Sequence, residues 1–116
     1  MMKLVMNGQT LIENLELAEG AWPRMKGLLG RRELPADRAL WIKRCGSVHT
    51  FFMQFAIDLV FVDGDMKVTK TVAGVKPGRF VWSNFRSRDV IEMGEGFLAR
   101  HPLRVGDVLN VDRTLS

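Results

Sequence analysis

What most constrains this chain is a rhythm: short runs of β-branched, aromatic and other apolar residues, cut by turn-forming residues at intervals of roughly ten positions. Asn7-Gly8 separates Lys3-Leu4-Val5-Met6 from Gln9-Thr10-Leu11-Ile12. Asn-Gly in that setting predicts a hairpin, because both central residues of a type I′ turn need positive φ. Leu15 and Leu17 alternate with Glu16 and Ala18, which extends the second strand or adds a short one after a kink near Asn14. Residues 39 to 42, 47 to 55 and 57 to 62 read as further strands. Asp63-Gly64-Asp65 reads as a turn before residues 66 to 72, whose alternation marks a strand wet on one face. Residues 79 to 82, 89 to 93 and 108 to 111 complete the set, and residues 94 to 100 read as one helical turn or two.

The hydrophobic period changes decisively in one place. Between Gly20 and Gly30, Trp22, Met25, Leu28 and Leu29 fall on one face at helical spacing, with Pro23 in the first turn and Gly30 placed to end the helix. The expected fold is therefore mainly β, a small sandwich or barrel of jelly-roll kind, with one short helix near residues 21–30. A length of 116 residues predicts a single domain over 1–116. Trp22, Leu28, Phe52, Leu59 and Phe61 are its expected core residues.

The apolar runs are too short and too often interrupted by charge to span a bilayer as helices. Cys45 is the single cysteine, which excludes an intrachain disulfide and fits a reducing compartment. The opening Met1-Met2-Lys3-Leu4-Val5-Met6 is cut by Asn7-Gly8 far short of a signal-peptide core. A cytoplasmic location is the expectation.

The net charge of +4 is unevenly spread. Residues 21–50 carry seven basic groups against Glu33 and Asp37, and residues 76–90 carry Lys76, Arg79, Arg86 and Arg88 against Asp89. Eleven of the seventeen cations are Arg, the side chain suited to bidentate contacts with phosphate or carboxylate. The plain reading of such runs is a solvated face. The sharper one is an anion-binding surface of Arg24, Arg31, Arg79, Trp82 and Arg86, with Phe80 and Phe85 beside them.

Two residues invite a catalytic reading. In an extended run from Ser47 to Phe55, His49 shares a face with Phe51, Met53 and Phe55, the opposite face is also apolar, and the strand reads as central and buried. There His49 is first a hydrogen-bonded structural histidine and second a general base. Asp58 lies among Phe55, Ala56, Ile57, Leu59 and Val60, where a carboxyl group needs partners. The candidates are His49, an arginine of residues 24–31, or backbone N–H groups. Cys45 and His49 sit roughly 13 Å apart in a strand, so a thiol nucleophile would need a bend at Gly46. No metal-ligand spacing, phosphate loop or cofactor motif occurs, and neither metal nor cofactor is expected.

The run Ser47-Val48-His49-Thr50-Phe51-Phe52-Met53-Gln54-Phe55-Ala56-Ile57-Asp58-Leu59-Val60-Phe61-Val62-Asp63 resembles the centre of a prokaryotic domain-of-unknown-function family, number 192 of that series. Arg24-Met25-Lys26-Gly27-Leu28-Leu29-Gly30-Arg31 resembles an upstream element of the family, with Leu29 where Met is usual, and Gly106-Asp107-Val108-Leu109 resembles its closing element. The resemblance covers nearly the whole chain and implies a compact β-rich fold without implying a reaction. Many relatives carry an export signal, and none is seen here, so periplasmic roles do not carry over.

The expected function is a binding module for an anionic small molecule or a partner protein, through the Arg-rich, aromatic surface. The residues named for it are Arg24, Arg31, His49, Asp58, Arg79, Trp82 and Arg86. The alternatives are a small hydrolase or isomerase using His49 and Asp58, and a weak nucleic-acid binder. No membrane partner is expected.

Overall fold

The first hairpin forms as its turn dictates. Strand β1 (Met2–Met6) turns through Asn7 and Gly8, at φ 52° and 77°, into β2 (Gln9–Ala18). The computed structural model describes residues 2–18, 33–51 and 53–113. The helix expected near 21–30 lies outside these, as do Arg24, Arg31 and the core candidates Trp22, Leu28 and Phe52. The other strands are β3 (Arg38–Ile42), β4 (Ser47–His49), β5 (Ile57–Val62), β6 (Val68–Val75), β7 (Phe80–Trp82), β8 (Asp89–Gly94) and β9 (Asn110–Asp112). A single helical turn, α1 (Phe97–Arg100), follows β8. Among the described residues the protein is mainly β, as its turn rhythm requires.

Seven strands form one sheet in the order β6-β5-β8-β3-β2-β1-β9, antiparallel except where β2 runs parallel to β3. Its outer strands come together at one end. A bridge joins Lys67 to Val108, the Val68 N–H donates to the Asp107 carbonyl at 2.8 Å, and the Leu109 N–H donates to the Met66 carbonyl at 2.9 Å. Of the two architectures expected, the large sheet thus takes the barrel-like form, while β4 and β7 pair separately as a second, small sheet.

Strand β5 shows why. All six of its residues are buried, so both of its faces meet core. Val60 and Val62 point to one cluster with Leu4, Ile12, Trp41 and Ile91, which fills the inside of the curled sheet. Ile57, Leu59 and Phe61 point to a second cluster with Ile42, Val48, Val75 and Val90. The small sheet covers this second cluster, with Val48 buried in it and Val81 packed against it. Gly94 ends β8 where the Leu34 carbonyl leaves no room for a Cβ.

The run from Ser47 is not the long central strand its composition suggests. β4 stops at His49, because the buried Thr50 side chain donates to the Lys76 carbonyl at 2.6 Å and accepts the Arg79 N–H at 2.9 Å. The Met53 N–H then closes a turn onto the Thr50 carbonyl. A hydroxyl that competes for backbone partners ends the extended run. His49 and Phe51 consequently lie exposed rather than buried.

The β5–β6 turn is held by Asp63, whose carboxylate accepts the Asp65 N–H at 2.8 Å and the Lys67 N–H at 3.0 Å. The Lys67 N–H is the main cause that holds this carboxyl below its ordinary value of 3.8, against a smaller opposing effect of desolvation. A folded pKa below the unfolded one adds stability that is complete above the unfolded value and is lost as pH falls through the lower folded value. Urea midpoints measured from pH 6 downward should fall below about pH 4, and Asp63→Ala should flatten that part of the curve.

Candidate functional site

The alternation of a strand decides what the small sheet displays. In β4 and β7, Val48 pairs with Val81, Ser47 with Trp82 and His49 with Phe80. Since the valines face the core, Ser47, His49, Phe80 and Trp82 face outward together. The His49 and Phe51 rings stack at 5.3 Å, and the Phe80 and Trp82 rings lie 4.8 Å apart. Trp82 is 68% exposed, and Phe85, just beyond β7, is 93% exposed. The Arg86 guanidinium lies 5.7 Å from the Phe85 ring centre. So much aromatic surface in water marks a contact surface more often than it marks chance.

Charge around this face has one dominant sign. From Met66 to Arg88 the chain carries six basic residues and no Asp or Glu, and from Arg38 to Ile57 it carries three basic residues and no acid. These segments build β4, β7 and their flanks. Lys76, Arg79 and Arg86 are exposed and form no ion pair among the described residues. Arg88 lies 3.9 Å from Asp89, whose carboxylate also accepts the Trp41 indole N–H and the Arg44 N–H at 3.0 Å each. Lys70 reaches the Trp82 carbonyl at 2.5 Å. A groove of about 360 Å³ opens beside the aromatics, lined by residues 72–76 of β6 and its end and by Arg79, Phe80 and Val81.

Asp58 is placed quite differently. It is 1% exposed, and its two oxygens accept the Gly74 N–H and the Leu98 N–H, each at 2.8 Å. Gly74, at φ 64°, sits where the β5–β6 register slips, so its N–H is turned onto the carboxyl group. Leu98 lies in the first turn of α1, where helical N–H groups lack intrahelical partners. Among the described residues the partners of Asp58 are backbone N–H groups and not His49; the arginines of residues 24–31 lie outside the described residues. His49 is exposed in the small sheet and shares no hydrogen bond with Asp58.

Of the residues named from sequence, the structure places His49 and Trp82 on the outward face of the small sheet, Arg79 just before β7 and Arg86 in the turn beyond it, while Asp58 is buried and bonded to Gly74 at the end of the groove. Phe51, Lys70 and Lys76 join the surface without having been singled out. For the two lysines the signal was present in the sequence as the acid-free stretch from Met66 to Arg88. Cys45 donates its thiol hydrogen to the Ser47 carbonyl at 3.0 Å. Among the described residues, no helix is long and apolar enough to cross a membrane.

The DUF192 family, described as uncharacterized ACR, matches residues 2–111. Two solved structures share the fold. A protein of unknown function from Novosphingobium aromaticivorans DSM 12444 superposes with a TM-score of 0.81 at 21% identity, over 94% of this chain and 82% of that one. A protein from Sinorhizobium meliloti 1021, provisionally described as a transcription regulator, gives 0.80 at 19% identity, over 95% of this chain and 91% of that one. At these identities the likeness is one of fold. Comparison with the curated proteins returns no match.

Proposed function

The chain belongs to the DUF192 family, and from that premise we propose that it is a binding module, taking an anionic ligand or partner on the outward face of β4 and β7. The observation that carries this reading is the coincidence of exposed aromatic rings on the small sheet with flanking cations that form no ion pair among the described residues. Phe80 and Trp82 offer flat apolar surface, and Lys76, Arg79 and Arg86 offer charge that no acid in the same segment neutralises. The groove beside them adds concavity. Against the hydrolase or isomerase alternative stands that Asp58 is buried and accepts the Gly74 and Leu98 N–H groups while His49 is exposed on the small sheet.

Phenyl phosphate, which joins a ring to a dianion, is a direct probe. Calorimetric titration should show binding that weakens with salt, and an Arg79→Ala/Trp82→Ala double variant should lose tenfold or more in affinity while keeping its melting temperature. Undiminished binding by that variant would contradict the reading.

Nucleic acid is the second reading, favoured by the stackable aromatics and by the provisional description of the Sinorhizobium meliloti relative. We expect single-stranded oligonucleotides to bind weakly at physiological salt and without sequence preference, because counterion release makes phosphate contacts steeply salt-dependent. Submicromolar, sequence-selective binding at that salt would put this reading first.

A further inference from the structure

β6 is an outer strand of the large sheet, and one part of its free edge is open. At its start the edge is taken, since the Gly106 N–H donates to the Val68 carbonyl and the Val68 N–H donates to the Asp107 carbonyl, each at 2.8 Å. Next the Asn84 amide donates to the Thr69 carbonyl at 3.1 Å, a side chain standing where a strand would pair. At the far end the Gly74 N–H points inward to Asp58. With Thr69 turned outward and Gly74 inward, backbone alternation turns the main-chain groups of Thr71 and Ala73 outward. Among the described residues, no main-chain hydrogen bond outside the sheet ladder engages either residue.

β7 follows β6 after a tight turn, yet the two do not pair. Their Cα atoms stay for the most part more than 8 Å apart, well beyond the roughly 4.8 Å between paired strands. The 360 Å³ groove occupies this space, with Val72 and Val81 as apolar walls. Lys76 and Arg79 line it, Lys70 reaches the Trp82 carbonyl beside it, and two acids, Glu95 and the buried Asp58, approach its Gly74 end.

Resting on the binding reading above, we infer that the partner is an extended, acidic peptide segment of another protein, added as a strand along Thr71–Ala73 of β6. Its main chain exchanges hydrogen bonds with the outward groups of Thr71 and Ala73, which gives affinity without sequence demands. One set of its alternate side chains enters the groove between Val72 and Val81. The charge of Lys70, Lys76 and Arg79 selects carboxylates among them. Lysines on an edge also deter unwanted pairing between copies of a chain, and the same charge that repels a basic copy attracts an acidic strand.

The test uses the whole chain, isotope-labelled for NMR, and a short acetylated and amidated peptide alternating Glu and Val. Strand addition predicts slowed amide exchange at Thr71 and Ala73 on binding. It also predicts that the same peptide N-methylated on alternate residues, unchanged in charge, binds at least tenfold more weakly. Ala73→Pro removes an outward N–H without removing a bond to β5, and should weaken the peptide similarly while phenyl phosphate still binds. Equal binding of both peptides, with no slowed exchange, would overturn strand addition and leave the binding face standing. Tighter binding of a single-stranded oligonucleotide than of the peptide would overturn the choice of partner. Failure of the peptide, the oligonucleotide and phenyl phosphate alike would overturn both proposals.

Discussion

Asp58→Ala is expected to cost about 3 to 5 kcal/mol of stability, because it strands two buried N–H groups that a single carboxyl group satisfies. One is the Gly74 N–H at the register slip of β6, and the other is the Leu98 N–H at the start of α1. These groups belong to elements that do not otherwise pair with each other, so the carboxyl group ties the edge of the sheet to the helix. Asp58→Asn keeps the shape but presents an NH₂ group to one of two donors, and should cost less than Ala while still lowering the urea midpoint. Neither variant should alter the affinity of the folded protein for phenyl phosphate. If Asp58→Asn keeps full stability and abolishes binding, Asp58 belongs to a ligand site.

Phe61→Ala should be comparably damaging, at about 3 to 5 kcal/mol, since it empties one of the two largest fully buried side chains among the described residues. Phe61 lies in the cluster with Leu59, Ile57, Val75 and Val90, beneath the small sheet. Neighbours there are held by strand pairing on both sides of β5, which limits how far they can close over the gap. A fall in melting temperature on the order of 15 °C with an unchanged denaturant slope is the expected signature. A loss below about 1 kcal/mol would mean that this layer is far more plastic than its burial implies.

How much of this was legible in the residues follows from the range of the interactions. The Asn7-Gly8 hairpin and the Asp63 turn are local, and their residue types specify them directly. β5 was legible because an apolar run between polar neighbours has no stable place but the interior. The conflict at Asp58 was visible too, but its partners were not. Gly74 and Leu98 are 16 and 40 positions away and contribute backbone, which has no residue signature. The run from Ser47 to Phe55 misled because its aromatics suit a strand, while the Thr50 hydroxyl that ends it acts on Lys76 and Arg79 across the chain. With that strand shortened, His49 moves from a supposed core to an exposed face, where it stacks on Phe51. Arg79, Trp82 and Arg86 were identifiable because cations and aromatics within a few residues of each other stay together in any fold.

The central claim is that recognition resides on the outward face of β4 and β7 rather than around Asp58. Amide chemical-shift mapping of the isotope-labelled chain titrated with phenyl phosphate tests it most directly. The account predicts shifts confined to residues 47–51 and 70–86, growing with ligand and shrinking with salt. Shifts centred on Asp58 and Leu98, with the β4 and β7 amides unmoved, would contradict it.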